Sequence, residues 1–197
     1  MNYNGFFHSL EDNIKFEVQI ITNENSSQFT ELKLGENPFV VTYEASDNPF
    51  APLRTSTAVL TVVHDNYLED IYGSHPIDTK VILYKYTGEN TKKLEWCGYL
   101  SGNMQSQGYE DCYETIEIEA SDCLSILQYM KYETELKKVV TFAEVVQKIF
   151  NRLSGIHGYA IARTKYLPSG KILDFNDLTI SEQNFFSSDT DEGWALN

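Results

Sequence analysis

Residues 96–132 read WCGYLSGNMQSQGYEDCYETIEIEASDCLSILQYMKY. Two patterns abut within this stretch. From Tyr113 to Ala120 the chain alternates, with Ile116, Ile118 and Ala120 on one face and Thr115, Glu117 and Glu119 on the other. That is the period of a half-buried strand. Upstream, Trp96-Cys97-Gly98-Tyr99-Leu100 ends another strand, and residues Gly102 to Gly108 turn the chain. Gly98 permits a bulge or a close backbone approach there. Downstream, Ser121 or Asp122 is placed to cap a helix, because its side chain can accept from the open N–H groups of a first turn. Leu124, Leu127 and Met130 then recur at helical spacing, through Tyr129 and Tyr132. The stretch predicts a hairpin whose second strand runs directly into a capped helix, with Leu124 and Leu127 pinning the helix across the core that Ile116 and Ile118 bury.

Working back from Trp96, period 2 dominates. Lys15 to Thr22 alternates with Phe16, Val18 and Ile20 on one face. Phe29 to Leu34 alternates again, Gly35-Glu36-Asn37-Pro38 signals a turn, and Phe39 to Glu44 follows as a second arm. Pro49 and Pro52 exclude a central strand around them. The β-branched run Thr57 to His64 predicts a strand buried on both faces. Val81 to Tyr86 and Leu94 to Leu100 flank Thr87-Gly88-Glu89-Asn90 as a hairpin.

Working forward, Thr141 and Glu144 form a capping box, with Val140 and Val145 placed as its hydrophobic staple. Phe142, Val145, Val146, Ile149 and Leu153 follow one stripe, and Gly155 stands where a C′ glycine belongs. Tyr159 to Lys165 reads as a weaker strand and Ser181 to Asn184 as a short helix. The fold class expected is α+β, mostly β. A boundary is expected near 131–140, giving a β-rich domain over 1–132 and a helix-containing segment over 133–197. The ending EGWALN closes no element, so the chain is expected to be the N-terminal part of a longer polypeptide.

Charge follows the same division. The 197 residues carry a formal net charge of −14. Residues 1–130 hold 7 basic and 20 acidic side chains, 131–171 hold 8 and 3, and 172–197 hold none and 6. This balance argues against general nucleic-acid binding and against attraction to an anionic membrane. The 13 Tyr and 11 Phe favour strands and interfaces. No apolar run approaches the roughly 18 residues of a spanning helix, and residues 1–13 lack the layout of a signal peptide.

Chemistry is hard to find. There is no GxGxxG, P-loop, GxSxG or HExxH. The histidines (His8, His64, His75, His157) are scattered, and His64-Asp65 reads as a surface turn. Cys97, Cys112 and Cys123 form no CxxC pair and are expected to be three reduced cysteines. The carboxylates Glu110, Asp111, Glu114, Glu117, Glu119 and Asp122 lack a calcium-loop pattern and read as a solvated strand face that discourages edge pairing. No catalytic residue, metal ligand or cofactor site is expected.

The pattern W-x-G-Y-L, about a dozen residues, then I-x-I-x-A-x-D-x-L-x-x-L, resembles the hub domain of bacteriophage tail and baseplate proteins. Its residues here are Trp96, Gly98, Tyr99, Ile116, Ile118, Ala120, Asp122, Leu124 and Leu127. Residues 37–72 and the helix after Tyr132 support the likeness, which covers roughly residues 15 to 155 and is nearer to tail proteins of phages and prophages of anaerobic gut bacteria. The resemblance implies an antiparallel, barrel-like hub domain without catalytic residues or cofactor. It implies a ring of copies, a trimer before a hexamer, that links the tail tube to a central fibre or spike. Partners would be the tube, distal tail and fibre or spike proteins. The place would be the virion tail, after synthesis in the host cytoplasm. Two other readings stay open: the distal tail ring protein, and a carbohydrate-binding β-module at the tail tip. A wall hydrolase would need paired carboxylates or a Cys–His pair that the sequence does not display.

Overall fold

The computed structural model describes residues 1–22, 27–44, 55–64, 68–101, 114–133, 138–153 and 178–186. The chain divides into two compact units, Met1–Ile126 and Leu127–Asn197.

The first unit is built on strands β1 (Asn2–His8), β2 (Lys15–Ile21), β3 (Phe29–Glu31), β4 (Lys33–Tyr43), β5 (Ser56–His64), β6 (Lys80–Tyr86), β7 (Lys92–Leu100) and β8 (Glu114–Asp122). They form one sheet in the order β3-β1-β2-β6-β7-β8-β5-β4. All the pairings are antiparallel except β1 with β3. The protein is therefore mostly β with a single α-helix among the described residues. The barrel-like expectation is not met at the level of the ladder. The sheet is not closed, and β3 and β4 stand at its two ends although only Leu32 separates them in sequence.

The sheet is nevertheless strongly curved. The Leu32 N–H donates to the Asn4 carbonyl at 2.7 Å, and the Leu34 side chain of β4 lies against Gly5 of β1. On the concave side, Val18, Ile20, Leu60, Val62, Val81 and Ile118 are fully buried in one cluster with Trp96, Leu100 and Ala120. Each such aliphatic side chain contributes on the order of 2 kcal/mol. Leu68 and Ile71, flanking and ending the short 3-10 turn Glu69–Ile71, join this cluster.

Three sequence expectations change. The Gly35–Pro38 turn is a bulge inside the continuous strand β4: the register against β5 shifts between Leu34 and Phe39, and Asn37 takes φ 51°. Asn tolerates that left-handed backbone, which made the stretch read as a turn. Strand β5 is not buried on both faces. Its β-branched residues face both ways, but Ala58, Leu60 and Val62 are buried while Thr57 is exposed. Strand β1 was not anticipated; Asn2, Asn4 and Gly5 are weak strand formers, and pairing with β2 imposes the extended state.

The face of the sheet away from the core carries one buried acid. Glu17 is only 4% exposed. Its carboxylate accepts from Gln19 Nε2 at 2.5 Å, Tyr86 Oη at 2.8 Å and Lys92 Nζ at 3.1 Å. Burial works against the charged form, but these hydrogen bonds and the Lys92 ammonium outweigh it and hold the acid below its ordinary 4.5. The same contact raises the Tyr86 phenol.

In the second unit, β9 (Val139–Thr141) pairs with β10 (Thr179–Ser181), and α1 spans Phe142–Arg152. The capping box is present: the Glu144 N–H donates to Thr141 Oγ1 at 3.2 Å and the Thr141 N–H to Glu144 Oε2 at 2.8 Å. Val140 and Val145 are buried in one cluster with Tyr132, as a staple requires. Phe142, placed on the buried stripe by its spacing, is exposed, and Ala143 is buried instead. The helix expected near Ser181 is a 3-10 turn, Glu182–Phe185. Gly155 and the strand expected over Tyr159–Lys165 lie outside the described residues.

Because the Glu17 pKa is lowered on folding, its contribution to stability is complete above 4.5 and fades as pH falls below that value. Glu17→Gln is expected to cost about 1–2 kcal/mol at pH 7. It should also flatten the acid limb, so that urea midpoints of variant and parent converge as pH falls below 4.5.

Candidate functional site

The nine motif residues can be followed one by one. Strands β7 and β8 pair Gly98 with Asp122, Tyr99 with Ser121 and Leu100 with Ala120. Trp96, Ile118 and Ala120 lie in the first unit's core, with Ile116 packed against it. Tyr99 is buried and Leu124 half-buried. Leu127 is buried too, but belongs to the second unit.

Trp96, Gly98 and Asp122 meet around a residue the sequence did not single out, Ser56. The Trp96 indole N–H donates to Ser56 Oγ at 3.0 Å. Ser56 Oγ donates to Asp122 Oδ2 at 3.1 Å, and the Ser56 backbone N–H donates to the same oxygen at 2.6 Å. The other carboxylate oxygen, Oδ1, accepts from the backbone N–H and the hydroxyl of Ser125, both at 2.9 Å. One buried carboxylate thus ties the end of β8 to the start of β5 and to the turn that leaves the sheet. The Trp96 ring also meets Phe39 of β4 edge-on at 5.6 Å between centroids. It therefore reaches from β7 past β8 to β5 and β4.

Gly98 makes this possible. A Cβ there would fall 2.2 Å from the Ser121 carbonyl oxygen and 2.2 Å from the Trp96 ring. The glycine serves close approach; the register irregularity in β7 lies elsewhere, beside Leu83 and Tyr84 of β6.

Asp122 caps, as its position suggested, but no α-helix follows. The segment Ser125–Tyr129 is a 3-10 turn. Leu124, Leu127 and Met130 recur every third residue, and a strict three-residue spacing fits three residues per turn as well as 3.6.

Glu117 and Glu119 are exposed on β8, and no group of three metal-ligating side chains occurs among the described residues. Glu110, Asp111, Asp65, Cys112 and His157 lie outside those residues. An open cavity of about 210 Å³ is lined by Tyr72, His75, Thr79, Leu100 and Ser101 among others. Two of its hydroxyls are engaged: Thr79 Oγ1 donates to the Ile71 carbonyl, and Ser101 Oγ lies 3.1 Å from Ser121 Oγ.

The second unit holds a fully buried acid that no sequence pattern marked. Glu182 Oε1 accepts from Tyr132 Oη at 2.8 Å and from Lys148 Nζ, and Oε2 accepts from the Lys138 backbone N–H at 3.1 Å. Burial, then the bond to Glu182, pushes the Tyr132 phenol up. Tyr132 also packs against Phe185 at 4.7 Å. The arrangement fixes β9, α1 and the Glu182–Phe185 turn to one another.

No helix among the described residues is long and apolar enough to cross a membrane. No family model, curated protein or solved structure matches this chain.

Gly98→Ala is expected to lower stability by about 3 kcal/mol, read as a shift in the urea midpoint, because Trp96 and the β8 backbone must both give way. Asp122→Asn conserves shape, yet its NH₂ group must face either the Ser56 or the Ser125 backbone N–H. One buried donor is left open, and a loss of about 2 kcal/mol follows. An unchanged midpoint for Asp122→Asn would rule out the bridging role.

Proposed function

We infer that this protein is a structural component of a phage or prophage tail tip, of the baseplate or tail-hub type. Copies of it form a ring linking the tail tube to a central fibre or spike. The reading rests on the resemblance of residues 15 to 155 to hub domains. One observation carries it furthest: Trp96, Gly98 and Asp122, the most distinctive members of the motif, are engaged in holding strands together. A motif whose residues shape a scaffold agrees with a role in assembly.

Ring subunits need broad strand-rich surfaces, and Tyr and Phe supply contact area at low entropic cost. Copies arranged head to tail around a closed ring present different faces to each other. Acidic strand faces such as Glu117 and Glu119, exposed on β8, meet the basic stretch 131–171 of a neighbour in this arrangement, or line a lumen that repels DNA in transit.

Proteomics of purified particles, followed by cryo-EM of their tails, tests the reading. The chain should be found in tails, as a three-fold ring at the tip. A six-fold ring would favour the distal tail protein, and glycan binding by a monomer would favour the carbohydrate module. Absence of the chain from purified tails overturns the tail assignment altogether.

A further inference from the structure

We propose that Cys97 and Cys123 are a modification site: a thiol pair that closes to an intrachain disulfide by exchange with a small-molecule disulfide. The ladder that pairs Leu100 with Ala120, Tyr99 with Ser121 and Gly98 with Asp122 ends there, and Cys97 and Cys123 are the residues that adjoin its last pair, Cys123 in the turn just past β8. A disulfide needs Cα atoms within about 4.4–6.8 Å, a reach that positions adjoining the end of an antiparallel ladder offer. The two residues already touch: Cys123 Sγ lies 3.4 Å from the Cys97 carbonyl oxygen. Both are thiols in the structure.

The pair is unequal in a way that assigns roles. Cys97 is partly exposed and Cys123 is buried. The neighbouring Cys123 thiol holds the Cys97 thiol below the ordinary range against the effect of burial, and the Lys80 ammonium adds to the lowering. The neighbouring Cys97 sulfur, together with burial, pushes the Cys123 thiol up. Cys97 is therefore the attacking sulfur and Cys123 the resolving one.

With oxidised glutathione as the co-reactant, the Cys97 thiolate attacks one sulfur of the reagent. The reagent's S–S bond breaks, one glutathione thiolate leaves, and a mixed disulfide forms on Cys97. Cys123 gives up its proton to the departing thiolate and attacks Cys97 Sγ, releasing the second glutathione. Two protein thiols are oxidised and one small disulfide is reduced to two thiols. The new bond fastens the exit from β8 to β7, one residue away from the Asp122 bridge, and closes residues 97–123 into a loop that limits the unfolded chain.

The test treats the full chain with oxidised glutathione, alkylates the remaining thiols under denaturing conditions, and maps the products by mass spectrometry. The expected product has lost two hydrogens, carries a single label on Cys112, and yields a peptide joining Cys97 to Cys123. Its thermal midpoint should rise by about 5 °C and fall back on reduction. Cys112→Ser should keep the crosslink. Cys123→Ser should trap glutathione on Cys97, and Cys97→Ser should form no crosslink. Three labels on the treated parent chain, a lasting glutathione adduct on Cys97, or a bond that includes Cys112 would each overturn the proposal.

Discussion

The first unit depends on one buried carboxylate. Asp122 is the last residue of β8, and both of its oxygens are used twice, by Ser56 on one side and Ser125 on the other. A carboxylate removed from water is costly unless donors surround it, and here two backbone N–H groups and two hydroxyls do so. The consequence is geometric. The start of β5, the end of β8 and the turn leaving the sheet cannot move independently. The Trp96 indole, bound to the same Ser56 hydroxyl, joins β7 to that fixed point.

Curvature follows from the same place. A sheet bends inward where its concave face is thin, and Trp96 shares its cluster with the paired alanines Ala58 and Ala120 while its ring lies against Gly98. These small residues let one large ring lie across neighbouring strands and reach Phe39. At the other side of the sheet, Gly5 does the same for Leu34. The strands at the two ends of the sheet, β3 and β4, are one stretch of chain divided at Leu32. That stretch serves first β1 and then β5. The bulge in β4, with Asn37 at positive φ, comes directly after this hand-over.

What the sequence made legible is what repeats. Phe16-Val18-Ile20 and Ile116-Ile118-Ala120 alternate because each strand turns one side to the apolar core and polar residues such as Glu17 or Glu117 to the other, and the Thr141–Glu144 box is local in sequence, so both could be read directly. The contacts that fix the tertiary arrangement are not local. Ser56 lies 66 residues from Asp122 and 40 from Trp96. Nothing around a lone serine announces that pairing. Glu182 is similar: it lies among polar neighbours in sequence, yet it is wholly buried because Tyr132, from 50 residues upstream, donates to it. The three-residue repeat of Leu124, Leu127 and Met130 was visible, but spacing alone does not separate a 3-10 turn from an α-helix over so short a run. The cysteines were visible as well, though only strand register brings two of them together.

The character of the motif bears on how function should be read from it. A catalytic constellation keeps at least one reactive group near solvent and leaves it room to act on a substrate. Around Asp122 the logic runs the other way: the acid is 9% exposed, its four acceptor positions are filled by the chain itself, and the neighbouring glycine leaves no space beyond what the indole occupies. On the tail-tip reading proposed above, function would lie in outward surfaces and in what they meet, which is why particle composition and ring symmetry test that reading. The same rigidity gives Cys97 and Cys123 their significance. Two thiols on separate loops would meet any oxidant separately, whereas these two adjoin the Gly98–Asp122 pair, with Cys123 Sγ 3.4 Å from the Cys97 carbonyl oxygen.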